Sequence, residues 1–513
     1  MRKKNSIKNI VTALLGQVIG VILSFISRTI FIKYLGAEYL GINGLFTNIL
    51  SILSLAELGI GTAIIYSLYK PLALKENAQI KALINFYKKV YNIIGVTILG
   101  IGIVLIPFLD NIIKDSPQVS RLGFIYCLFL INTVVSYFYT YKRSLIIADQ
   151  KGYVVNIYRY VFNVILNIVQ MIILITTKQY EIYLVLRIIL TLIENISISY
   201  KANKLYPFLK EKNISKLDEE TRREINKNVK ALMYHKIGGV VVTGTDNILI
   251  SSFVGLIWVG LYSNYQLIVS SINMIIGQIF DAITASVGNL NALESKEKKY
   301  QTYEKILFFN FWIAGFCCIT LFELFNNFIE LWVGGQYLFE DFLVFIIVLN
   351  FYMTLTRRTN WVYKDSMGLF WHDRYKPLCE GIVNMIVSIS LAPKLGIVGV
   401  FIGTFVSTIT TAFWIEPYIL YKYGFEMKVR GYFLSYIKYT TIILVAGIIT
   451  DQICSVFTTV TWISLFGRAA VCMIVPNLVF LGCSYRTDEF KYFWNLFKEI
   501  VDKLPKLKAR PLS

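Results

Sequence analysis

Charge is scarce in this chain. Charged residues make up 16% of its 513 residues, against about 25% in an ordinary soluble domain. A soluble chain of this length would divide into several domains, each with a polar surface to cover, and the charges are too few for that. Histidine occurs only as His235 and His372. The seven cysteines, Cys127, Cys317, Cys318, Cys379, Cys454, Cys472 and Cys483, form no C-x-x-C pair. Nearly all stand in apolar runs, where cysteine behaves as a small buried hydrophobe, so neither a disulfide scaffold nor a zinc site is indicated. No G-x-x-x-x-G-K-[ST] loop occurs either, which leaves no ATP-driven motor in the chain. Hydrophobic residues reach 56% without counting glycine, where soluble domains reach ~45–50% with it. An all-α polytopic membrane protein is the class that fits.

A bilayer-crossing helix needs roughly 20 mainly apolar residues. Such runs fall near 9–33, 43–69, 87–108, 121–141, 153–176, 181–200, 237–254, 260–289, 306–331, 342–363, 377–393, 396–420, 436–453 and 461–484, fourteen candidate spans. Met1-Arg2-Lys3-Lys4 resembles the start of a signal peptide. No A-x-A site follows, and the apolar run is too long for a signal, so an uncleaved first span is expected. The net charge of +19 is then a matter of placement. With alternate connections taken as cytoplasmic, forty of the fifty-one Lys and Arg fall on that side, five on the other and six within spans. That bias is the positive-inside signature. It puts both termini in the cytoplasm, residues 201–236 inside and 109–120 outside, and it removes the nucleic-acid reading of the charge. The expected location is a cell membrane, crossed many times.

A shift of 219 residues lays the first two spans over the seventh and eighth. Leu35-Gly36-Ala37-Glu38-Tyr39-Leu40-Gly41-Ile42 falls on Val254-Gly255-Leu256-Ile257-Trp258-Val259-Gly260-Leu261, and Gly20, Ser24, Thr47 and Ser51 fall on Gly239, Thr243, Gln266 and Ser270. Six spans separate the copies, so both insert the same way up. Parallel repeats about an axis along the membrane normal are a transporter architecture.

The repeated spans carry polar stripes. Asn43, Thr47, Ser51, Ser54, Glu57 and Gly61 fall within about 120° of a helical wheel. Gln266, Ser270, Asn273, Gly277, Asp281, Thr284 and Gly288 fall within about 80°. The first span has Gln17, Gly20, Ser24, Ser27 and Arg28 on one side, and the seventh His235, Gly239, Thr243 and Asp246. Helix packing accounts for small residues and hydroxyls. It accounts poorly for Arg28, Glu57, Asp246 and Asp281, since a charge at the bilayer centre costs roughly 2.5–3.5 kcal/mol. A water-accessible cavity is the alternative.

Arg28, with Arg357 and Arg358 of the tenth span, suggests an anionic, phosphate-bearing substrate, because an arginine fork takes phosphate oxygens bidentately and stays charged. Snorkelling to the interface is the competing reading for Arg357 and Arg358. Arg187 and Glu194, seven apart on one face, are expected to pair, Arg159 to snorkel, and Glu323 and Glu330 to be solvated at the outer end. Arg468 has no assigned partner. The connections on the outer side are too short for a catalytic domain, and no enzyme signature is present.

Ser27-Arg28-Thr29-Ile30-Phe31-Ile32-Lys33-Tyr34-Leu35-Gly36-Ala37-Glu38-Tyr39-Leu40-Gly41, then Leu55-Ala56-Glu57-Leu58-Gly59-Ile60-Gly61, then Lys394-Leu395-Gly396-Ile397-Val398-Gly399-Val400-Phe401-Ile402-Gly403-Thr404, together with fourteen spans in a parallel repeat, resemble the polysaccharide flippase (Wzx-type) branch of the MOP exporter superfamily. The Lys/Ile/Asn-rich composition is similar to members from low-GC Gram-positive bacteria.

The resemblance implies alternating-access transfer of undecaprenyl-diphosphate-linked oligosaccharide from the inner to the outer leaflet, for capsule or other surface polysaccharide. A six-helix N-lobe (1–205), a cytoplasmic linker (206–235) and a six-helix C-lobe (236–421) would enclose a cationic cavity. Spans 13 and 14 (422–485) would make a lipid-tail groove, ahead of a basic tail (486–513). Arg28, Ser24, Glu57, Ser51, Asn273, Arg357 and Arg358 would line the cavity. Asp246, Asp281 and Asn384 would be ion-coupling positions, although Ser388 stands where a second carboxylate would help sodium. Protons or the membrane potential are the other drivers, and no cofactor is implied. Membrane lipids and polysaccharide polymerase or assembly proteins are the implied partners. A teichoic-acid or lipid-II flippase, a multidrug/cation antiporter and a membrane scaffold are the alternatives.

Overall fold

In the computed structural model, residues 2–57, 60–113, 121–138, 140–210, 244–369 and 372–495 are described, with 217, 219, 223, 225 and 498. Helices account for the regular structure of these residues, and no strand occurs among them. Where they are described, the helices follow the apolar runs. Ten described helices are long and apolar enough to cross a membrane, and the pair Leu122–Tyr137 and Thr140–Ala148, bent by 43°, makes an eleventh. One of the ten, Gly16–Leu53, contains a break at Gly36 (φ 81°, ψ −174°) and so serves two spans. The eighth is the helix Leu256–Leu293. The seventh is described only from 244 onward, with Asp246–Phe253 helical. His235, Gly239, Thr243, Leu58, Gly59, most of the linker, 114–120 and all of the tail beyond 495 except 498 lie outside the described residues.

Apolar side chains such as Ile93, Val96, Ile437, Ile448 and Ile463 stand exposed on the helix faces. That is the pattern of a chain whose outer solvent is lipid, with backbone groups satisfied inside each helix.

The 219-residue repeat has a physical counterpart. Gly36 and Gly255, equivalent under the shift, both have positive φ, +81° and +136°, a region that L side chains rarely enter. Each is the point at which one helix gives way to the next. Five residues on, a Cβ on Gly41 would lie 2.2 Å from the Leu256 carbonyl oxygen, and one on Gly260 would lie 2.1 Å from the Ala37 oxygen. These four positions are two repeat-equivalent pairs, so the contact is reciprocal: each copy of the motif uses its glycine to receive the other's backbone. Close approach through small residues is how helices associate in lipid. The connection between the first two expected spans, residues 34–42, is therefore not a loop. The backbone turns at a single glycine and resumes its helix at once.

Later breaks are also short. The tenth span is Asp341–Thr356 followed directly by Arg358–Ser366. The eleventh ends at Leu395, Gly396 takes φ +58°, and the twelfth starts at Ile397. The twelfth widens into π-helix at Thr408–Ala412 and again at Leu420–Phe425, on either side of Pro417. Proline lacks the N–H that an α-helix needs there, and π turns accommodate such misfits, often at functional positions.

By contacts the chain divides into two compact units, Met1–Ser263 with Ile389–Val400, and Asn264–Ser388 with Phe401–Ser513. The repeat-equivalent glycine contact lies wholly in the first.

Candidate functional site

In the first unit, the break at Gly36 leaves Arg28 two turns before a helix end. Its Nη1 donates to Ser263 Oγ at 2.7 Å. Ser263 Oγ donates in turn to the Gly260 carbonyl at 2.7 Å, so the repeat glycine contact also positions the hydroxyl. A half-buried guanidinium thus rests on a neutral oxygen. Ser24 Oγ donates to Gly20 O at 2.8 Å, and a side chain on Gly20 would meet nothing within 4 Å. Open space therefore flanks the polar stripe of the first span.

Glu57 closes a turn of 3-10 helix, Ser54–Glu57, that interrupts the second span. Tyr91 Oη donates to Glu57 Oε1 at 3.2 Å, and the Tyr91 ring stacks on Tyr137 at 6.2 Å. A Cβ on Gly61 would lie 3.2 Å from Tyr91 Oη and 3.4 Å from Glu57 Oε1, so the glycine makes room for the carboxylate. Arg28 and Glu57 consequently have separate partners rather than each other. Ser51, one turn earlier, is exposed. Asp246 opens the helix Asp246–Phe253 and interacts electrostatically with Tyr262. Nearby, Asn48 Nδ2 donates to Gly244 O at 3.4 Å.

The second unit separates two neighbouring arginines. Arg358 Nη2 donates to Asn273 Oδ1 at 3.1 Å and to Asn273 O at 3.3 Å. Its Nη1 lies 3.6 Å from where a Gly277 side chain would start, and it interacts electrostatically with Asp281. Asn273, Gly277 and Asp281 are spaced i, i+4, i+8 on one face of the eighth span, so three residues of the expected stripe meet one expected arginine.

Arg357 goes the other way, into the protein. Nε donates to Glu416 Oε2 at 2.9 Å, Nη2 to Glu416 Oε1 at 2.7 Å and Nη1 to Glu380 Oε1 at 3.3 Å. Lys376 Nζ also bonds Glu416, and Trp361 Nε1 donates to it at 3.0 Å. Thr408 Oγ1 donates to Glu380 at 3.1 Å. Lys364 pairs with Asp373, which lies in the turn after the short helix that carries the lysine. Arg357 neither snorkels nor stands open: its fork is closed by a carboxylate. Sequence reasoning passed over Glu416 and Glu380. The signal was present, since Glu416 is a charge inside the apolar run 396–420, and Glu380, Asn384 and Ser388 repeat at four-residue spacing.

Asn384 is fully buried, and its Nδ2 donates to Thr404 Oγ1 at 2.9 Å while Oδ1 has no hydrogen-bond partner among the described residues. Ser388 packs against Gly403, where an added Cβ would overlap its Oγ. Three minor expectations change. Glu194 pairs with Arg143 at 2.8 Å rather than with Arg187. Glu323 is buried, and its partner is Arg468 at 3.8 Å. Arg468 Nη2 also donates to the Phe457 carbonyl at 2.6 Å.

No family model matches the sequence, and no curated protein does. Solved structures do match. The lipid II flippase MurJ in an inward closed conformation superposes with a TM-score of 0.66 at 15% identity, covering 93% of this chain and 99% of that one. An inward-facing multidrug-resistance MATE transporter of the MOP superfamily gives 0.60 at 16% identity, covering 80% and 98%. A point mutant of the Vibrio cholerae MATE transporter VcmN gives 0.55 at 14%, covering 83% and 99%. All three are transporters, and their shared MOP-type fold is the fold of this chain.

Proposed function

We propose that this MOP-fold membrane protein is a flippase that carries undecaprenyl-diphosphate-linked oligosaccharide repeat units from the cytoplasmic to the outer leaflet for surface polysaccharide assembly, by alternating access. The observation that carries the reading is Arg28: a guanidinium inside an apolar span whose hydrogen bond goes to a serine hydroxyl. An uncompensated cation at that depth costs roughly 2.5–3.5 kcal/mol on insertion scales, and an anionic cargo offsets the cost each time it binds. Phosphate suits the fork. Arg358, held by an asparagine with Asp281 further along the face, is a second cation, partly compensated. Cationic drugs would be repelled by both, which speaks against an antiporter of the multidrug type. Both termini lie in the cytoplasm in this reading, and Asp246, Asp281 and Asn384 remain the coupling positions.

A lipid-II flippase is the second reading. The MurJ likeness covers 93% of this chain, where the two MATE likenesses cover 80% and 83%, so the flippase plan fits more of its length than the MATE plan. Lipid II carries the same diphosphate chemistry.

Arg28→Ala tests the proposal in cells. Surface polysaccharide should be lost and lipid-linked repeat units should accumulate on the inner leaflet while glycosyl transfer continues. Arg28→Lys should restore part of the export. Normal export by a well-expressed Arg28→Ala protein would overturn the reading.

A further inference from the structure

A separate cavity of about 350 Å³ lies within the first unit, among the fourth, fifth and sixth spans. Its polar lining includes Arg143, Arg159, Asn163, Thr191, Glu194 and Asn195. Apart from one Glu194 oxygen, the main acceptors there are already committed. Glu194 Oε1 and Asn195 Oδ1 both accept from Arg143 Nη2, at 2.8 and 3.2 Å. Asn163 Oδ1 accepts from Asn167 Nδ2 at 2.7 Å. Thr191 Oγ1 donates to Asn132 Oδ1 at 3.1 Å, and Asn195 Nδ2 to Val135 O at 3.1 Å. Besides that oxygen, two donors of the lining are left over. Among the described residues the Arg159 guanidinium has no hydrogen-bond or ion-pair partner, and neither has Asn163 Nδ2. The two residues are four apart on one helix, so they are neighbours on one face, and both line the cavity.

The charges do not balance: two guanidiniums share one carboxylate. Arg159 lies seven residues into the helix Gly152–Thr177, about 10 Å from its end at 1.5 Å per residue. That end is the one the lysine and arginine distribution assigns to the cytoplasm. An exposed arginine at that depth with a polar, roomy cavity beside it has a better use than reaching for the interface. The volume is near the lower limit of ~300–1,000 Å³ for small-ligand sites, enough for a headgroup but small for an oligosaccharide.

We propose that this cavity is a second anion site, in which the Arg159 fork and the Asn163 amide bind the phosphate of a lipid headgroup in the cytoplasmic leaflet. Arg143 is held by Glu194 and completes the positive wall. The inference does not rest on the flippase reading, because it involves none of the residues assigned to that cargo. The phosphate belongs either to an anionic bilayer lipid or to a polyprenyl diphosphate.

The test uses the full chain in nanodiscs with phosphatidylglycerol in phosphatidylcholine, in an Arg28→Ala, Arg358→Ala background so that the other two arginine sites are silent. Native mass spectrometry should show one retained phosphatidylglycerol, and Arg159→Gln should weaken its retention about tenfold. Arg159→Lys should fall between, since the charge stays and the fork is lost. Glu194→Gln should tighten binding, because it removes the competing carboxylate; a purely structural role for the cluster predicts no gain. Displacement by undecaprenyl diphosphate would assign the site to the polyprenyl lipid, and failure to displace would assign it to the bilayer lipid. Unchanged retention in Arg159→Gln, or weaker retention in a folded Glu194→Gln protein, would overturn the proposal.

Discussion

Arg28 and Arg357 begin with the same problem and reach opposite answers. Each is a guanidinium inside an apolar run, where an unpartnered charge is costly. Arg357 finds Glu416 fork-on and Glu380 beside it, with Lys376 and Trp361 completing the set. Arg28 finds the Ser263 hydroxyl. The neighbouring helix decides which: the eleventh and twelfth spans bring carboxylates, and the eighth brings serine. A cation neutralised by its own chain belongs to the packing. A cation resting on a neutral oxygen is still able to take an anion from outside. Arg358, on the Asn273 amide with Asp281 further along the face, stands between the two cases.

The largest effect should come from the closed arginine. Glu416→Gln leaves buried Lys376 without its carboxylate and buried Arg357 with Glu380 alone, and breaking a buried pair costs about 3–5 kcal/mol. Little folded protein should survive heating in detergent when monitored by size-exclusion chromatography. A Glu416→Gln protein as heat-stable as wild type would put Arg357 in the same class as Arg28. Next come the repeat glycines. Gly41→Ala and Gly260→Ala each place a carbon against a backbone oxygen, an overpacking of about 1–3 kcal/mol. The two losses in thermal stability should be alike, because the contact is reciprocal. A loss at one glycine alone would break the symmetry.

Ser263→Ala removes the neutral partner of Arg28 and should cost about 1.5 kcal/mol, the low end for a hydrogen bond to a charged group. Transport should persist in it, unlike in Arg28→Ala. Loss of transport with stability retained would mean that the hydroxyl itself serves the cargo. The smallest effect is expected at the surface. Lys296 and Glu426 pair at 2.6 Å with both side chains more than half exposed, and Lys296→Ala should change stability by about 0.2–1 kcal/mol. A large loss there would mean that a carboxylate stabilises a cation in this protein whether or not the pair is buried.

Much of this was legible from residue types and spacing. The apolar runs have the length of a bilayer, so the helices followed. The 219-residue shift located two pairs of glycines, but only the structure could display the positive φ of Gly36 and Gly255 and the reciprocal contact at Gly41 and Gly260. Asn273 and Asp281 share a helix face, as their spacing suggested, and the structure adds that Arg358 meets that face. Partner choice was less legible. Arg357 and Arg358 are adjacent, and a one-residue step turns a side chain by about 100° around a helix, so their different fates depend on which helices pack on each side. Glu194 shows the same limit: Arg187 shares its helix, but Arg143 of the neighbouring helix is its partner. Spacing along one helix names candidates, and packing between helices selects among them.

The most direct test of the central claim is translocation itself. Wild-type protein and the Arg28→Ala variant would be reconstituted at equal density in liposomes with a fluorescent undecaprenyl-diphosphate-linked saccharide, and exposure of the label to an impermeant quencher would be followed over time. Transfer by wild type should be at least about tenfold faster than by Arg28→Ala, with no wild-type flux of a cationic dye. Equal rates for the two proteins, or movement of the dye alone, would contradict the role given to Arg28.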